Sequence, residues 1–86
     1  MKLYEVVLSK TAEKNLAKLP NAIIAKIVYS LQQLEKEPRP TGCKKLKGFS
    51  NLWRIRVGDY RIIYSIQDIV LLVDIREIGH RKEIYK

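Results

Sequence analysis

Arginine recurs at alternate positions in the second half of the chain, on both sides of a short turn sequence. Arg54 and Arg56 stand two residues apart, and Arg61 follows the dipeptide Gly58-Asp59. Side chains two residues apart on a β-strand project from the same face of a sheet. A guanidinium keeps its charge at any working pH and offers a planar fork of donors that fits a phosphate group. This spacing predicts a site that binds a phosphodiester and stabilises charge on its oxygens.

A two-residue turn at Gly58-Asp59 fixes the register of the strands that flank it. It places Arg56 directly opposite Arg61. A second two-residue turn, at Gln67-Asp68, would place Asp74 on the other side of Arg61. We therefore expect the positive charge of this segment to gather at one end of one sheet face.

Alternation separates the residues of this segment into two faces. One face carries the charged residues Arg54, Arg56, Arg61, Asp74 and Arg76. The other carries no charge and consists of Trp53, Ile55, Val57, Tyr60, Ile62, Tyr64, Leu71, Val73 and Ile75. Two arginines directly opposite each other cost stability, so the arrangement favours a functional site. A solvated face with a few Arg–Asp ion pairs is the alternative.

The rest of the chain supplies the elements that must position this face. A strand over residues 2–8 is followed by a helix over about 10–18 with Ser9 as its N-cap. Apolar residues at three- and four-residue steps predict a second helix over 21–37, with Pro20 in its first turn. The predicted fold is α+β, with the order β-α-α-β-β-β and a helical hairpin on one face of a mostly antiparallel sheet.

Two connections complete this prediction. Residues 38–51 contain two prolines, two glycines and the basic cluster Lys44, Lys45 and Lys47, and we expect a loop with one short strand around Leu46. After the meander, Gly79 is expected to turn the chain sharply and to bring the tail back near the strand ends.

Length and composition exclude several classes of protein. With 86 residues and 47% hydrophobic residues, the chain forms one domain, over 1–86, with a buried core. No apolar run reaches the length of a membrane span, and the N-terminus lacks a signal-peptide pattern, so a cytoplasmic location without membrane is expected. One cysteine and one histidine cannot build a structural zinc site. No phosphate-binding glycine motif is present, and we predict no cofactor.

The net charge of 17 − 9 = +8, with the histidine neutral, points to a polyanionic partner. Nucleic acid, an acidic protein and a membrane surface all remain open on this ground alone. The tail adds His80, which titrates near neutral pH and can act as an acid or a base, although a structural histidine is the commoner case.

Several segments together resemble the RelE/ParE superfamily of bacterial and archaeal toxin–antitoxin pairs. They are Lys45-Leu46-x-Gly48, the basic-aromatic segment 53–64, Ile78-Gly79-His80-Arg81, Ile84-Tyr85 and the opening 4–19. Each segment alone is a weak signal, but together they cover nearly the whole chain. The resemblance implies the fold order given above. It also implies an endoribonuclease that cleaves mRNA in the ribosomal A site by metal-independent attack of the 2′-hydroxyl. A gyrase inhibitor of the ParE type, with the same fold and without RNA cleavage, is the alternative.

The resemblance also assigns roles and partners. It implies that Arg54 and Arg56 bind substrate and assist proton transfer, and that Arg61 stabilises the transition state. Arg81 matches a further family arginine, and Tyr85 matches a tyrosine that stacks on a base. Further expected contributors are His80 as a possible acid, and Lys44, Lys45, Lys47 and Arg76 in binding the substrate or 16S ribosomal RNA. A RelB-like antitoxin is the expected protein partner, together with the ribosome and mRNA.

One departure from the family pattern concerns the general base. Relatives often carry lysine where this chain has Arg54 and Arg56, and a guanidinium hardly ever releases its proton. The base is therefore unassigned, with Glu77 and Glu83 as candidates. For the lysine cluster, a solvated loop is the alternative to an RNA contact.

Overall fold

The computed structural model describes residues 2–80, and within them the chain forms two helices and one five-stranded sheet. The elements are β1 (Glu5–Leu8), α1 (Lys10–Ala17), α2 (Asn21–Lys36), β2 (Lys44–Lys45), β3 (Trp53–Val57), β4 (Tyr60–Gln67) and β5 (Leu72–His80). The strand order is β1-β5-β4-β3-β2. Only the β1–β5 pair is parallel among these strands, so the predicted α+β class with a mostly antiparallel sheet is confirmed.

The two helices begin where the sequence predicted. The Ser9 hydroxyl accepts a hydrogen bond from the Ala12 amide at 3.1 Å, which satisfies one of the donors at the start of α1. Pro20 is the N-cap of α2 rather than part of its first turn. The Pro20 carbonyl accepts a hydrogen bond from the Ile23 amide at 2.9 Å. Because the proline ring fixes φ, Pro20 also restricts the direction in which α2 starts.

The core lies between the helices and one face of the sheet. Three residues of α2 are buried against one face of the sheet, namely Ile27, Leu31 and Leu34. The buried sheet residues include five that alternation placed on the uncharged face, Ile55, Ile62, Tyr64, Val73 and Ile75, and two that it did not list, Ile66 and Ile78. Full burial of one leucine, isoleucine or valine side chain stabilises the fold by about 1.5–3 kcal/mol. The buried Tyr64 hydroxyl donates to the Pro38 carbonyl at 2.8 Å, and burial raises the pKa of this phenol.

The predicted two-residue turn at Gln67-Asp68 is wrong. Gln67 pairs with Leu72, so residues 68–71 form a four-residue loop, and Leu71 takes a left-handed φ of +53°. The physical reason is that Asp68 serves contacts distant in sequence. Its carboxylate accepts from the Arg39 guanidinium at 3.1 and 2.9 Å and from the Tyr4 hydroxyl at 2.7 Å. The strand therefore begins at Leu72, and every predicted pairing partner of β5 shifts.

A β-bulge changes the alternation of β5. Ile63 pairs with Glu77 and Tyr64 pairs with Ile75, which leaves Arg76 as the extra residue. Odd-numbered residues of β5 consequently project from one face before the bulge and from the other face after it. The strand then continues to His80, so the expected sharp turn at Gly79 is wrong, and Gly79 instead pairs with Arg61 of β4.

Helix α1 covers the part of β5 that β1 does not reach. β1 pairs with β5 only from Leu72 to Ile75. Beyond that point the Ser9 hydroxyl donates to the Arg76 carbonyl at 2.9 Å, and the Ile78 amide donates to the Asn15 side-chain oxygen at 3.1 Å. Side chains of α1 thus satisfy backbone groups that an edge would otherwise leave without partners.

Candidate active site on the arginine face

The hairpin that carries the arginines has the predicted register. Arg56 pairs with Arg61, and Arg54 pairs with Ile63. Gly58 has a φ of +61°, whereas Asp59 is not among the described residues with positive φ. This combination matches the type II′ turn that joins strands with the native twist.

Near the β3–β4 turn, the sheet face opposite the helices carries two rows of side chains, and we call this part of the sheet the arginine face. Directly opposite residues share a face, so one row runs through Arg56, Arg61 and Gly79. The adjacent row runs through Lys44, Arg54, Ile63 and Glu77. The structure therefore brings three arginines, one lysine and one carboxylate together near the β3–β4 turn.

Arg61 is the buried member of this face. Its exposed fraction is 4%, whereas the facing Arg56 is exposed. Arginine is rarely buried to this degree because removing its charge from water is costly. Its neighbour on β5 is Gly79, which adds no side chain to the arginine face. A buried cation directly opposite an exposed one is an arrangement suited to holding an anion.

Asp74 does not lie opposite Arg61, which corrects the predicted register. It pairs with Ser65, four residues further along β4, because the loop over residues 68–71 is longer than the predicted turn. Its carboxylate accepts from the Arg76 guanidinium at 2.9 Å. The negative charge expected beside Arg61 is therefore paired with Arg76 instead.

The lysines of the cluster separate between the two faces. Lys44 pairs with Arg54 and joins the arginine face. Lys45 pairs with Trp53 on the helix side, where its ammonium lies 6.0 Å from the centroid of the indole ring. Lys47 lines a cavity that adjoins the arginine face. The substrate-binding roles of all three stay predictions.

The predicted tail residues have different outcomes. His80 pairs with Tyr60 and stacks edge-to-face against its ring at a centroid distance of 5.5 Å. Its ring is therefore on the side of Tyr60, away from the arginine face, and its role as an acid stays a prediction. Arg81, Glu83 and Tyr85 lie outside the described residues.

A cavity of about 680 Å³ adjoins the second row of the arginine face. It is lined by Thr11, Leu46, Lys47, Phe49, Leu52, Ile63, Arg76 and Glu77. Sequence reasoning missed Phe49, the only phenylalanine of the chain, whose ring is 57% exposed. Sequence reasoning also did not predict that Glu77 lies on the arginine face, because the bulge that places it there has no local sequence signal.

A second polar cluster lies at the opposite end of the sheet. Asp68 accepts hydrogen bonds from Arg39 and Tyr4, and the Arg39 guanidinium lies 4.9 Å from the Trp53 ring centroid. The hydrogen bonds from Arg39 and Tyr4 lower the pKa of the Asp68 carboxyl. The hydrogen bond to Asp68 raises the pKa of the Tyr4 phenol. Through these contacts, Asp68 in the β4–β5 loop holds Tyr4, just before β1, and Arg39, just after α2. We therefore interpret this cluster as structural.

No group of three or more His, Cys, Asp or Glu side chains suited to a metal ion occurs within residues 2–80. In the same part of the chain, no helix has both the length and the apolar character needed to cross a membrane.

Comparison with known proteins identifies the family. The sequence matches the family described as ParE toxin of type II toxin-antitoxin system, parDE, over residues 6–85. Toxin RelG of Mycobacterium tuberculosis is 33% identical over 84 residues, which cover 96% of this chain and 97% of that protein. The chain thus belongs to the ParE/RelE family of type II toxin–antitoxin toxins.

Solved structures of relatives share the fold. A chain of the archaeal RelE–RelB complex from Pyrococcus horikoshii is 33% identical and superimposes with a TM-score of 0.82, covering 92% of this chain and 96% of that one. A chain of the RelB–RelE antitoxin–toxin complex from Methanococcus jannaschii is 30% identical, with a TM-score of 0.76 and coverages of 93% and 95%. Both correspond to the two helices and five-stranded sheet described above.

Proposed function

We propose that this toxin is a ribosome-dependent endoribonuclease that cleaves mRNA in the A site without a metal ion. The observation that carries the proposal is the buried Arg61 directly opposite the exposed Arg56 on the β3–β4 hairpin. Like charges in a cross-strand pair destabilise a sheet, so folding alone does not account for them. A phosphodiester bound at this pair would meet two guanidinium groups that can stabilise its charge.

The reaction follows from the chemistry of RNA. The 2′-oxygen attacks the adjacent phosphorus, the bond from phosphorus to the 5′-oxygen breaks, and a 2′,3′-cyclic phosphate and a 5′-hydroxyl result. A base accepts the 2′-hydroxyl proton, and the leaving 5′-oxygen takes up a proton. Guanidinium groups stabilise the charge that develops on the non-bridging oxygens. We assign this role to Arg56 and Arg61, with Arg54 in substrate binding; Arg81, Tyr85 and His80 keep the roles that family resemblance predicts.

The proposed partners are a RelB-like antitoxin and the ribosome. The relatives from Pyrococcus horikoshii and Methanococcus jannaschii were solved in complexes of RelE with RelB. A net charge of +8 suits both an acidic antitoxin segment and ribosomal RNA. Lys44, on the arginine face, and Lys47, beside it, are the lysines best placed for phosphates of 16S ribosomal RNA.

Inducible expression tests this function in cells. We expect the wild-type chain to arrest growth, the neighbouring antitoxin gene to restore it, and mRNA ends to map within translated codons. Arg61→Ala should permit growth. Lys26→Ala is the matched control, since it removes one positive charge from the exposed surface of α2. Full toxicity of Arg61→Ala, at equal protein level, would contradict the site.

The second candidate is inhibition of DNA gyrase in the manner of ParE. The family description that matches residues 6–85 names the ParE toxin, and this observation favours it. Induction would then cause DNA breaks while messages stay intact. The cross-strand pair of Arg56 and Arg61 favours RNA cleavage, because gyrase inhibition does not require a phosphodiester to be held for reaction.

A further inference from the structure

The cavity beside the arginine face combines an apolar floor, an exposed aromatic ring and a charged rim. Leu46, Leu52 and Ile63 supply apolar lining, and Phe49 presents its ring to solvent. The charged residues on its lining are Lys47, Arg76 and Glu77. Pockets that bind small planar ligands have this composition, with few polar groups that fix the orientation of the ligand.

The β-bulge is what completes this rim. With regular alternation, Arg76 and Glu77 would project from opposite faces of β5. The bulge between Ile63 and Tyr64 instead lets both residues line the same cavity. Bulges are frequent beside functional sites, where they redirect a side chain. Here the redirected group is the carboxylate of Glu77, which forms no ion pair within residues 2–80, unlike Asp74, which pairs with Arg76.

We propose that this cavity binds one nucleobase of the mRNA, with Phe49 stacking on the base and Glu77 accepting a hydrogen bond from its exocyclic amino group. This inference rests on the proposed function, and it names a subsite for the substrate. Single-stranded RNA is recognised mainly by stacking of bases on aromatic side chains and by hydrogen bonds to base edges. Phe49 and Glu77 offer one group of each kind.

The position of the cavity fits a nucleotide whose phosphate lies on the arginines. Ile63, part of the cavity floor, is two residues from Arg61 on the same face of β4, which is a separation of about 7 Å. Phosphate and base of one nucleotide can therefore occupy the two positions together. An apolar side chain of the antitoxin would not need the charged rim, so the observations favour a base.

The carboxylate gives the subsite a chemical preference. A carboxylate only accepts hydrogen bonds, and it pairs well with the amino group of cytosine. Adenine and guanine also carry exocyclic amino groups, whereas uracil presents carbonyl oxygens at the corresponding positions. We therefore expect discrimination against uracil at one position near the cut.

Cleavage rates on ribosomes stalled over a set of mRNAs test this subsite. The mRNAs differ by a single base at each A-site position, and the full-length chain is added. For the wild type we expect one position at which uracil lowers the rate at least about fivefold. In Glu77→Gln, the ratio of the cleavage rates with another base and with uracil at that position should fall close to one, because an amide can also donate to a uracil carbonyl. Phe49→Ala should slow cleavage at least about fivefold, and Phe49→Trp should restore it.

Tyr29→Ala is the matched control, since it truncates an exposed aromatic side chain on α2, and its rates should equal those of the wild type. Equal rates and base ratios for Phe49→Ala and the wild type would overturn the inference and leave the proposed function intact. So would a uniform loss of rate in Glu77→Gln with an unchanged base ratio, or variants that weaken only antitoxin binding. If the wild type cleaves none of the mRNAs, the proposed function fails, and this inference fails with it.

Discussion

Arg61 and Arg56 face each other across two strands, but the protein surrounds them differently. Arg61 is buried and Arg56 is exposed, so the inner charge has a fixed position and the outer charge can adjust. The two guanidinium charges together produce a positive electrostatic potential at this end of the sheet, which favours binding of a phosphate. The alternation of residues around Gly58-Asp59 predicted the pair correctly, because a two-residue turn leaves one register. The burial of Arg61 was beyond prediction, because it depends on what the rest of the fold packs around β4.

Substitution of Arg56 should separate stability from activity. We expect Arg56→Gln to keep or raise the free energy of unfolding by up to about 1 kcal/mol, because it removes a like-charge cross-strand pair. Added salt should stabilise the wild type more than the variant, since salt screens the repulsion. Urea unfolding at low and high salt measures both effects, with Lys26→Gln on α2 as the control. A loss of stability in Arg56→Gln, with the same salt response as the wild type, would contradict the repulsion.

At the scale of elements, the accuracy of sequence reasoning followed the strength of local signals. The cap at Ser9 and the glycine of the first turn are local, and both α1 and the β3–β4 hairpin form as predicted. The second turn failed because Asp68 binds Arg39 and Tyr4, which are remote in sequence. The bulge has no local signal, so the face of Glu77 was also missed. The predicted strand register was therefore right on the β3–β4 hairpin and wrong on β5.

The β3–β4 turn offers a direct test of local conformation. Gly58 has a φ of +61°, and no atom lies within 4 Å of the position that a Cβ would occupy. Gly58→Ala should thus lower the free energy of unfolding by about 1 kcal/mol through backbone strain alone. Gly58→Asn should cost less, since asparagine tolerates this region better. Thermal or urea unfolding measures the difference, and equal stability of the alanine variant would contradict the assigned turn.

The contacts of Asp68 make stability depend on pH in the acid range. Its pKa in the folded chain is lowered from the ordinary 3.8 by hydrogen bonds from Arg39 and Tyr4. The contribution of this group is complete above the unfolded-state pKa and is lost as pH falls through the lower, folded-state value. Unfolding measured between about pH 6 and pH 2 should show a smaller loss of stability for Asp68→Asn than for the wild type. Parallel curves would show that these contacts do not couple to folding.

At the scale of the whole molecule, part of the excess positive charge is concentrated on one face of the sheet. The helices cover the uncharged face of the sheet, whereas the arginines, Lys44 and the adjoining cavity lie on or beside the other face. The net charge of +8 predicted a polyanionic partner but gave no location for it. The topology supplies a location, because the helices cover one sheet face and leave the arginine face for the proposed RNA substrate. The described part of the chain extends over 33 × 29 × 25 Å.

The chemical identity of new RNA ends tests the central claim most directly. Ribosomes stalled on a defined mRNA are incubated with the wild type, Arg61→Ala or Lys26→Ala, and the ends at the A-site codon are analysed. We predict a 2′,3′-cyclic phosphate and a 5′-hydroxyl at the cut, formed by the wild type and Lys26→Ala, and at least about a hundredfold less product with Arg61→Ala. Intact mRNA with the wild type, ends of another chemistry, or unchanged cleavage by Arg61→Ala would contradict it.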